Sequence, residues 1–538
     1  MPRRTNAGRR QSKSFAVASG PKVPRSAFNR SFSHKTTGDH GKLLPVLADE
    51  IYPGDTIKIR PTIFARFNTL LYPIMDNVHV DFHLFAVPMR LLWDNFKYFM
   101  GEEVDPGDRD LNTYIMPVVE KPNATSADTI WDYMGIEIVS QQDINALYSR
   151  AYNLIFNEWY RSQDLTDSAV VDKDDGPDTW TDYLVRRRCR RHDYLSSALP
   201  FAQKGDAVEL PLGTTAPVIA DSADPVPSFE MVGPGSSVGH PYDLYHTDTS
   251  LGSVEGAGFN AATNTGTVTD FRMQWTDPGL LADLSTATAA TINELRQSFQ
   301  IQRMYEKDAR YGTRYTESVY AHFGVVTEDA RQQRPEFLGS VSFPIGIQAV
   351  PQTSETGTTP QATLAAFGTG TGTGRPIVKS FSEHCILMGI LSTRADITYQ
   401  QGIPRRFTRS TRFDYYTPTL AHLGEQAILS REIFADGTAN DDTVWGYQER
   451  WSELRYSANQ LSGHMRSDRG NTLDAWHLAE DFSSRPTLND SFIQEPQGGI
   501  ERAVATPTEP HYLMDMYFEF THVRPMPTYS VPGLIDHF

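Results

Sequence analysis

Val78-His79-Val80-Asp81-Phe82-His83-Leu84-Phe85 alternates apolar and polar side chains one for one. In an extended chain successive side chains point to opposite faces, so Val78, Val80, Phe82 and Leu84 line one face of a strand. Pro88 ends the run, since its ring removes a backbone donor. The pattern recurs at Thr56–Ile59 and, near the other end of the chain, at Met514-Asp515-Met516-Tyr517-Phe518-Glu519-Phe520. Ile377–Tyr399, with its CILMGIL core, is further strand-like material. Strands are expected near 56–67, 78–87 and 512–523. Pairing between segments so remote in sequence is the habit of Greek-key sandwiches and jelly rolls.

Helical periodicity interrupts these strands. Ile144, Leu147, Tyr148, Ala151, Ile155 and Trp159 fall on one helical face, which predicts a helix over Ser140–Ser162. Thr291-Ile292-Asn293-Glu294 fits a capping box opening a second helix, with Gly312 as its stop. A short third helix is expected over Leu423–Ile433. Residues 352–375 (QTSETGTTPQATLAAFGTGTGTGR) are low in complexity and read as a surface loop. Residues 211–290 carry nine acids against one base, Arg272, and nine glycines, so they read as a long polar insertion. A bare loop of that length is improbable in a compact domain, which makes it functional or a small subdomain.

The composition excludes several classes of protein. No apolar run reaches the length of a membrane span, and the basic N-terminus lacks the apolar core of a secretory signal. Two cysteines, Cys189 and Cys385, build neither a disulfide framework nor a four-cysteine zinc site. The net charge of −17 argues against a general nucleic-acid binder, but it hides an asymmetry. Residues 1–38 hold nine Lys and Arg and no acid, leaving −26 on the rest. Residues 1–42 are therefore expected to form a basic, largely extended arm suited to a polyanion, with Arg3, Arg4, Arg9, Arg10 and Lys13 facing nucleic acid. The stretch Arg186-Arg187-Arg188-Cys189-Arg190-Arg191 is a second DNA-facing candidate. Arg405, Arg406, Arg409 and Arg412, interleaved with Phe407 and Phe413, form a third basic group. For both clusters, pairing with acids of the same chain or of a neighbouring copy is the competing reading.

At the other end, residues 524–538 form an extended Pro-rich arm. Pro525, Pro527 and Pro532 forbid a helix, while Tyr529, Val531, Leu534, Ile535 and Phe538 would leave oily surface in water. Such a segment wants a groove and points to assembly. Catalytic signals are weak. Gly235-Ser236-Ser237-Val238-Gly239 matches a nucleophile elbow but lacks the strand before it and the helix after it. Gly368–Gly374 satisfies no phosphate-loop pattern. His79, Asp81 and His83 share a strand face but splay, so a polar face at a subunit contact is expected rather than a metal site. Cys189 and His192 have no second ligand pair.

The C-terminal RPMPTYSVPGLIDHF (524–538) resembles the signature of the gokushovirus major capsid protein, of the Microviridae. So do MDNVHVDFHLFAVPMRLLWDNFKYFMGE (75–102), AYNLIFNEWYR (151–161), RRHDYLSSALPFAQKG (190–205), LRQSFQIQRMYEKDARYGTRYTE (295–317), DITYQQGIP (396–404), AHLGEQA (421–427), WGYQERWSELRY (445–456) and LDAWHLAEDF (473–482), in the family's order. His79 and His83 depart from the apolar or aromatic residues the family tends to place there. The resemblance implies a mainly β fold, the viral eight-stranded antiparallel jelly roll or β-sandwich, with helical insertions and long loops, over residues 43–538. It implies a non-enzymatic protein without cofactor or metal, assembling with itself into an icosahedral (T=1) shell around circular single-stranded DNA. It further implies small DNA-binding, internal scaffolding and DNA pilot proteins as partners, synthesis in the bacterial cytoplasm and residence in the virion. The 211–290 insertion would then form the threefold protrusion that meets a host surface receptor, with Tyr242, Tyr245 and Trp275 as recognition residues. Those rings also suit sugars, so a carbohydrate-binding or hydrolytic β-sandwich is the alternative, and a nucleic-acid-binding protein built around the arm is a third.

Overall fold

The computed structural model describes residues 24–103, 105, 114–120, 128–137, 142–208, 218–220, 228–232, 242–243, 272–277, 280–282, 292–357 and 359–529. It divides into two compact units, one of residues 1–204 and 306–538 and one of residues 205–305.

Among the described residues the larger unit carries twelve principal strands, beside three short ones at Val118–Glu120, Ile144–Asn145 and Asp178–Thr179: β1 (Ser26–Asn29), β2 (Phe32–Gly38), β3 (Leu44–Ile51), β4 (Thr56–Phe67), β5 (Val78–Pro88), β6 (Glu336–Pro351), β7 (Leu364–Thr373), β8 (Ile377–Ser380), β9 (Cys385–Ala395), β10 (Glu425–Leu429), β11 (Val444–Glu449) and β12 (Tyr512–Arg524). All but β10 and β11 belong to one curled antiparallel system. Its path runs through eight strands in the order β1-β12-β4-β7-β6-β5-β9-β3, with β2 alongside β12 and β8 alongside β4. The expected strands at 56–67, 78–87 and 512–523 are β4, β5 and β12, and β12 pairs with β4 from Tyr512↔Phe67 to Val523↔Thr56.

The curl turns on β6. Its first part, Glu336–Ile345, pairs with β5, and its last, Gly346–Pro351, pairs with β7. One long strand thus belongs to both layers of a sandwich. Between the layers lie Ile57, Ile59 and Ile63 of β4, Phe518 and Phe520 of β12, and Val78, Val80, Phe82 and Leu84 of β5. The Phe82 and Phe518 rings meet across this core, with centroids 5.6 Å apart. This is the jelly-roll β-sandwich expected of the sequence.

The far face of β5 and β9 is also buried. Phe85, Val87, Ile386, Met388 and Ile390 pack against a helical layer that includes α1 (Phe96–Phe99), α2 (Ile130–Tyr133) and α3 (Ala146–Ile155). Asn145 caps α3, its side chain accepting from the Leu147 N–H at 2.9 Å. The helix expected over Ser140–Ser162 is therefore shorter. Ile144 pairs instead with Val119, and the helix closes in a wider turn over Phe156–Tyr160. Later in the chain α4 (Ile292–Tyr311) and α5 (Tyr315–Phe323) flank Gly312, whose φ of 107° suits only glycine. Thr291 lies outside the described residues.

Two expectations are corrected. Leu423–Ile433 is not a helix: Glu425–Leu429 is β10, paired with β11, followed by a single tight turn at Ser430–Glu432. Its apolar residues Ala427 and Leu429 sit two apart, which is strand spacing. Residues 352–375 are not wholly loop. Leu364–Thr373 is β7, bonded to β6 on one side and β4 on the other. Here the core-facing residue of each pair is glycine. A Cβ on Gly372 would stand 2.1 Å from Phe343 Cδ1, and one on Gly370 would meet the Pro344 carbonyl oxygen at 2.8 Å. Glycine lets β7 pass beneath the Phe343 ring, so the ring fills the space that side chains would otherwise occupy. Gly372→Val is expected to destabilise the chain by about 1–3 kcal/mol through overpacking. Thr371→Val, on the exposed face, should be near neutral. Equal denaturation midpoints for the two variants would remove this account.

In the smaller unit, Val218–Ala220 pairs with Leu280–Ala282, and Ser228–Val232 pairs with both Tyr242–Asp243 and Arg272–Asp277. The insertion expected at 211–290 therefore has sheet structure of its own.

Candidate assembly and nucleic-acid surfaces

The charged residues singled out in the sequence separate into those the fold uses and those it leaves outward. On the His79–Asp81–His83 face of β5, Asp81 and His83 find partners within the chain, and His79 is half-buried. Asp81 is buried and accepts from Ser342 Oγ at 2.6 Å, and from Arg188 and Arg394 at 2.9 Å each. Burial acts to raise its carboxyl, but that hydroxyl and the two guanidiniums outweigh it and hold it below the usual range. His83 Nδ1 lies 2.6 Å from the Tyr160 hydroxyl. Burial pushes its imidazole down to about 4, with Asp81 opposing and Arg188 and Arg394 assisting. Among the described residues no group of three or more His, Cys, Asp or Glu could hold a metal ion.

The arginine run is largely consumed inside the chain. Arg188 holds Asp81 and Ser392 Oγ. Arg190 pairs with Glu480 at 3.3 Å, donates to the Gln494 carbonyl and lies over the Phe492 ring at 4.5 Å. Arg186 donates to the Asp182 carbonyl, and Arg187 to that of Glu495. Intramolecular pairing describes these four, whose guanidiniums tie the segment after α3 to β5, β9 and the 480–495 region. Arg191 is exposed.

The basic arm divides in the same way. Arg30 reaches Asp49 at 2.5 Å, Arg25 reaches Thr56 and Lys35 lies 3.5 Å from Asp515. Its described part is thus stitched into the sheet as β1 and β2. Arg3, Arg4, Arg9, Arg10 and Lys13 lie outside the described residues.

Sequence reasoning missed two buried ionic centres. Arg150 of α3 has a fully buried side chain and grips Asp178 through Nε at 2.8 Å and Nη2 at 2.5 Å. It also donates to the Leu92 and Asp174 carbonyls, while Tyr183 donates to Asp178. One signal was available: Arg150 sits three residues after Leu147, on the apolar stripe. The second centre joins distant segments, with Asp55 accepting from His522 at 2.8 Å and Arg524 at 3.2 Å. Nothing local in the sequence marks it.

Two features face outward. Beyond Arg524 the chain leaves the sheet with Thr528 bonded to Ser26, and Tyr529 is 81% exposed, free to contact another surface. Val531, Leu534, Ile535 and Phe538 lie outside the described residues. On and just after α5, Tyr315, Tyr320, Phe323, Val325 and Val326 are exposed apolar side chains. In the smaller unit the register sets Tyr242 and Trp275 on either side of Phe229. Tyr245 and Gly235–Gly239 lie outside the described residues.

A jelly-roll sandwich whose interior charges pair with one another, and whose apolar excess is turned outward, defines a structural protein that associates through its surface. The chain belongs to the capsid protein (F protein) family, whose model matches residues 16–534. It is 42% identical over 540 residues to capsid protein VP1 of Bdellovibrio phage phiMH2K, covering 98% of each chain. It is 37% identical to capsid protein VP1 of Chlamydia phage 1, over 95% of this chain and 96% of that one. Against capsid protein VP1 of Spiroplasma virus 4 the identity is 34%, over 97% of each. The protein is a structural component of a phage virion, as the resemblance to gokushovirus capsids implied, and not an enzyme.

Proposed function

We propose that copies of this chain close into a T=1 icosahedral shell around a circular single-stranded DNA genome. Family membership across nearly the whole chain carries this reading. The exposed apolar side chains on and just after α5 support extensive contact between copies, because solvated chains rarely leave apolar patches uncovered. Arg3, Arg4, Arg9, Arg10, Lys13 and Arg191 face the DNA, beside the phage's small DNA-binding, internal scaffolding and DNA pilot proteins. The acidic 211–290 insertion projects outward as the threefold protrusion and contributes to attachment to a host receptor. Tyr242, Tyr245 and Trp275 are its recognition residues, a reading supported by the pairing of the Tyr242 and Trp275 strands with the same strand at Phe229.

The C-terminal arm, with Tyr529, Val531, Leu534, Ile535 and Phe538, docks on a neighbouring copy. Its prolines restrict the free chain and so reduce the entropy lost on docking. Each of Leu534, Ile535 and Phe538 contributes roughly 1.5–3 kcal/mol when fully buried. The test is electron microscopy and sedimentation of the full-length chain and of a chain lacking Leu534–Phe538. Shells are expected from the first, with folded but poorly assembling protein from the second. Full particle yield from the truncated chain would remove the arm from assembly; a full-length chain that forms no particle under any condition would remove the shell itself.

A further inference from the structure

The fold sorts the third basic cluster in a way its sequence does not. Arg405 is held by Glu432 and by the Ala427 carbonyl, and Arg409 pairs with Glu453 at 3.1 Å. Arg406 and Arg412 are exposed and, among the described residues, have no carboxylate partner. The rings between and beyond them are also turned out: Phe407 is 71% exposed, Phe413 68%, Tyr415 57% and Tyr416 51%. Two short helical turns, Arg405–Phe407 and Arg412–Asp414, present them. The only acid of the segment, Asp414, is spent on the Ser410 and Thr411 N–H groups.

The geometry gives two of these rings a cationic neighbour. The Arg406 guanidinium lies over Phe407 at 4.9 Å from its centroid, and Arg409 lies over Tyr415 at 5.6 Å. A guanidinium on one face of a ring leaves the opposite face open and keeps N–H groups at the edge for a phosphate. Beside this platform opens a cleft of about 520 Å³, lined in part by Arg406, Phe407, Tyr456 and Arg466. That volume lies within the ordinary range for small-molecule sites and admits a base with its sugar.

We propose that the Arg406–Tyr416 platform binds unpaired bases of a single-stranded polynucleotide, stacking them on Phe407, Phe413 and Tyr415 while Arg406 and Arg412 take the adjoining phosphates. This rests on the reading that the shell encloses nucleic acid and adds where, and by what chemistry, the strand is held. Segment 403–416 carries four arginines and one acid in a chain of net charge −17, so it is a local site for a polyanion. Rings stack only on bases that a duplex would hide, so the platform favours single strands. Residues 3–13 (RRTNAGRRQSK) carry five basic groups and no aromatic ring, so their contact with either form rests on charge.

The test measures the affinity of the purified full-length chain for a labelled thymidine 20-mer and for a duplex of the same length, across a salt series. The Phe407→Leu/Phe413→Leu variant keeps apolar bulk and removes the π faces. It should lower the single-strand to duplex affinity ratio about tenfold and leave the salt slope unchanged. The Arg406→Gln/Arg412→Gln variant should flatten the slope of log affinity against log salt by about 1.4, the amount for two lost phosphate contacts to a single strand. Photo-cross-linking of a bromodeoxyuridine 20-mer to the wild-type chain should map to residues 403–416 and needs no variant to fold. Cross-links confined to other segments, with both variants binding as wild type, would overturn the platform and leave DNA enclosure standing. No DNA binding by the wild-type chain, with particles that never contain DNA, would overturn both. Loss of particles with unchanged single-strand binding would assign these rings to a contact between copies.

Discussion

Asp178→Ala is expected to destabilise the chain by about 3–5 kcal/mol, the largest effect of any single substitution argued from this structure. The reason is the partner left behind. Arg150 has no exposed side-chain surface, and Asp178 neutralises it through two hydrogen bonds. The Leu92 and Asp174 carbonyls satisfy donors of the guanidinium without cancelling its charge, and the Asp174 carboxylate, 3.3 Å away but 76% exposed, compensates it only weakly. The Arg150 side chain anchors α3, which packs on the far face of β5 and β9, so the loss spreads from a helix to the sandwich. The double variant Arg150→Met/Asp178→Ala should recover much of the loss, because replacing a buried pair by apolar groups removes the stranded charge. Denaturant unfolding of the three chains checks this. Equal midpoints for wild type and Asp178→Ala would show that water reaches Arg150.

Acidification is expected to cost the fold nearly as much. His83 is held at about 4 when folded, against 6.5 when free, chiefly by burial. Above pH 6.5 the imidazole is neutral in both states and costs nothing. Between 6.5 and 4 the unfolded chain takes up a proton that the folded chain refuses, so stability falls as pH falls. The full loss, reached near pH 4, is about 3 kcal/mol for this one group. His34, His511 and His522 are each lowered as well, again first by burial, and push in the same direction. The denaturation midpoint should therefore be highest at neutral pH or above and drop between pH 6.5 and 4. His83→Gln should shallow that slope while leaving the value at pH 7.5 little changed. A midpoint that does not move between pH 7 and 5, or an unaltered slope in the variant, would contradict the burial argument.

Much of the fold was legible because hydrophobic alternation reports a half-buried strand directly. Val78–Phe85 and Met514–Phe520 read as strands, and both lie in the sandwich. The Gly/Thr stretch 368–374 hid a central strand for a physical reason: its inward residue is glycine, which carries no apolar signal, and the volume is filled by Phe343 from β6. Leu423–Ile433 misled because its apolar residues fit either period over so short a span. The capsid family was legible from ordered blocks along the whole chain, since each block preserves local residue choices.

The sequence by itself determined the β core, the basic head, the acidic insertion and the family, because each is written in composition, period or local order. Only the tertiary structure decided which charges are spent inside. Arg188 and Arg190 look like Arg191 in sequence, yet the first two meet Asp81 and Glu480 from distant segments while the third stays exposed. Arg405 and Arg409 are paired, whereas Arg406 and Arg412 face outward beside open rings. A charge's role depends on the carboxylate within about 4 Å of it, and for Arg188, Arg190, Arg405 and Arg409 that partner comes from another part of the chain.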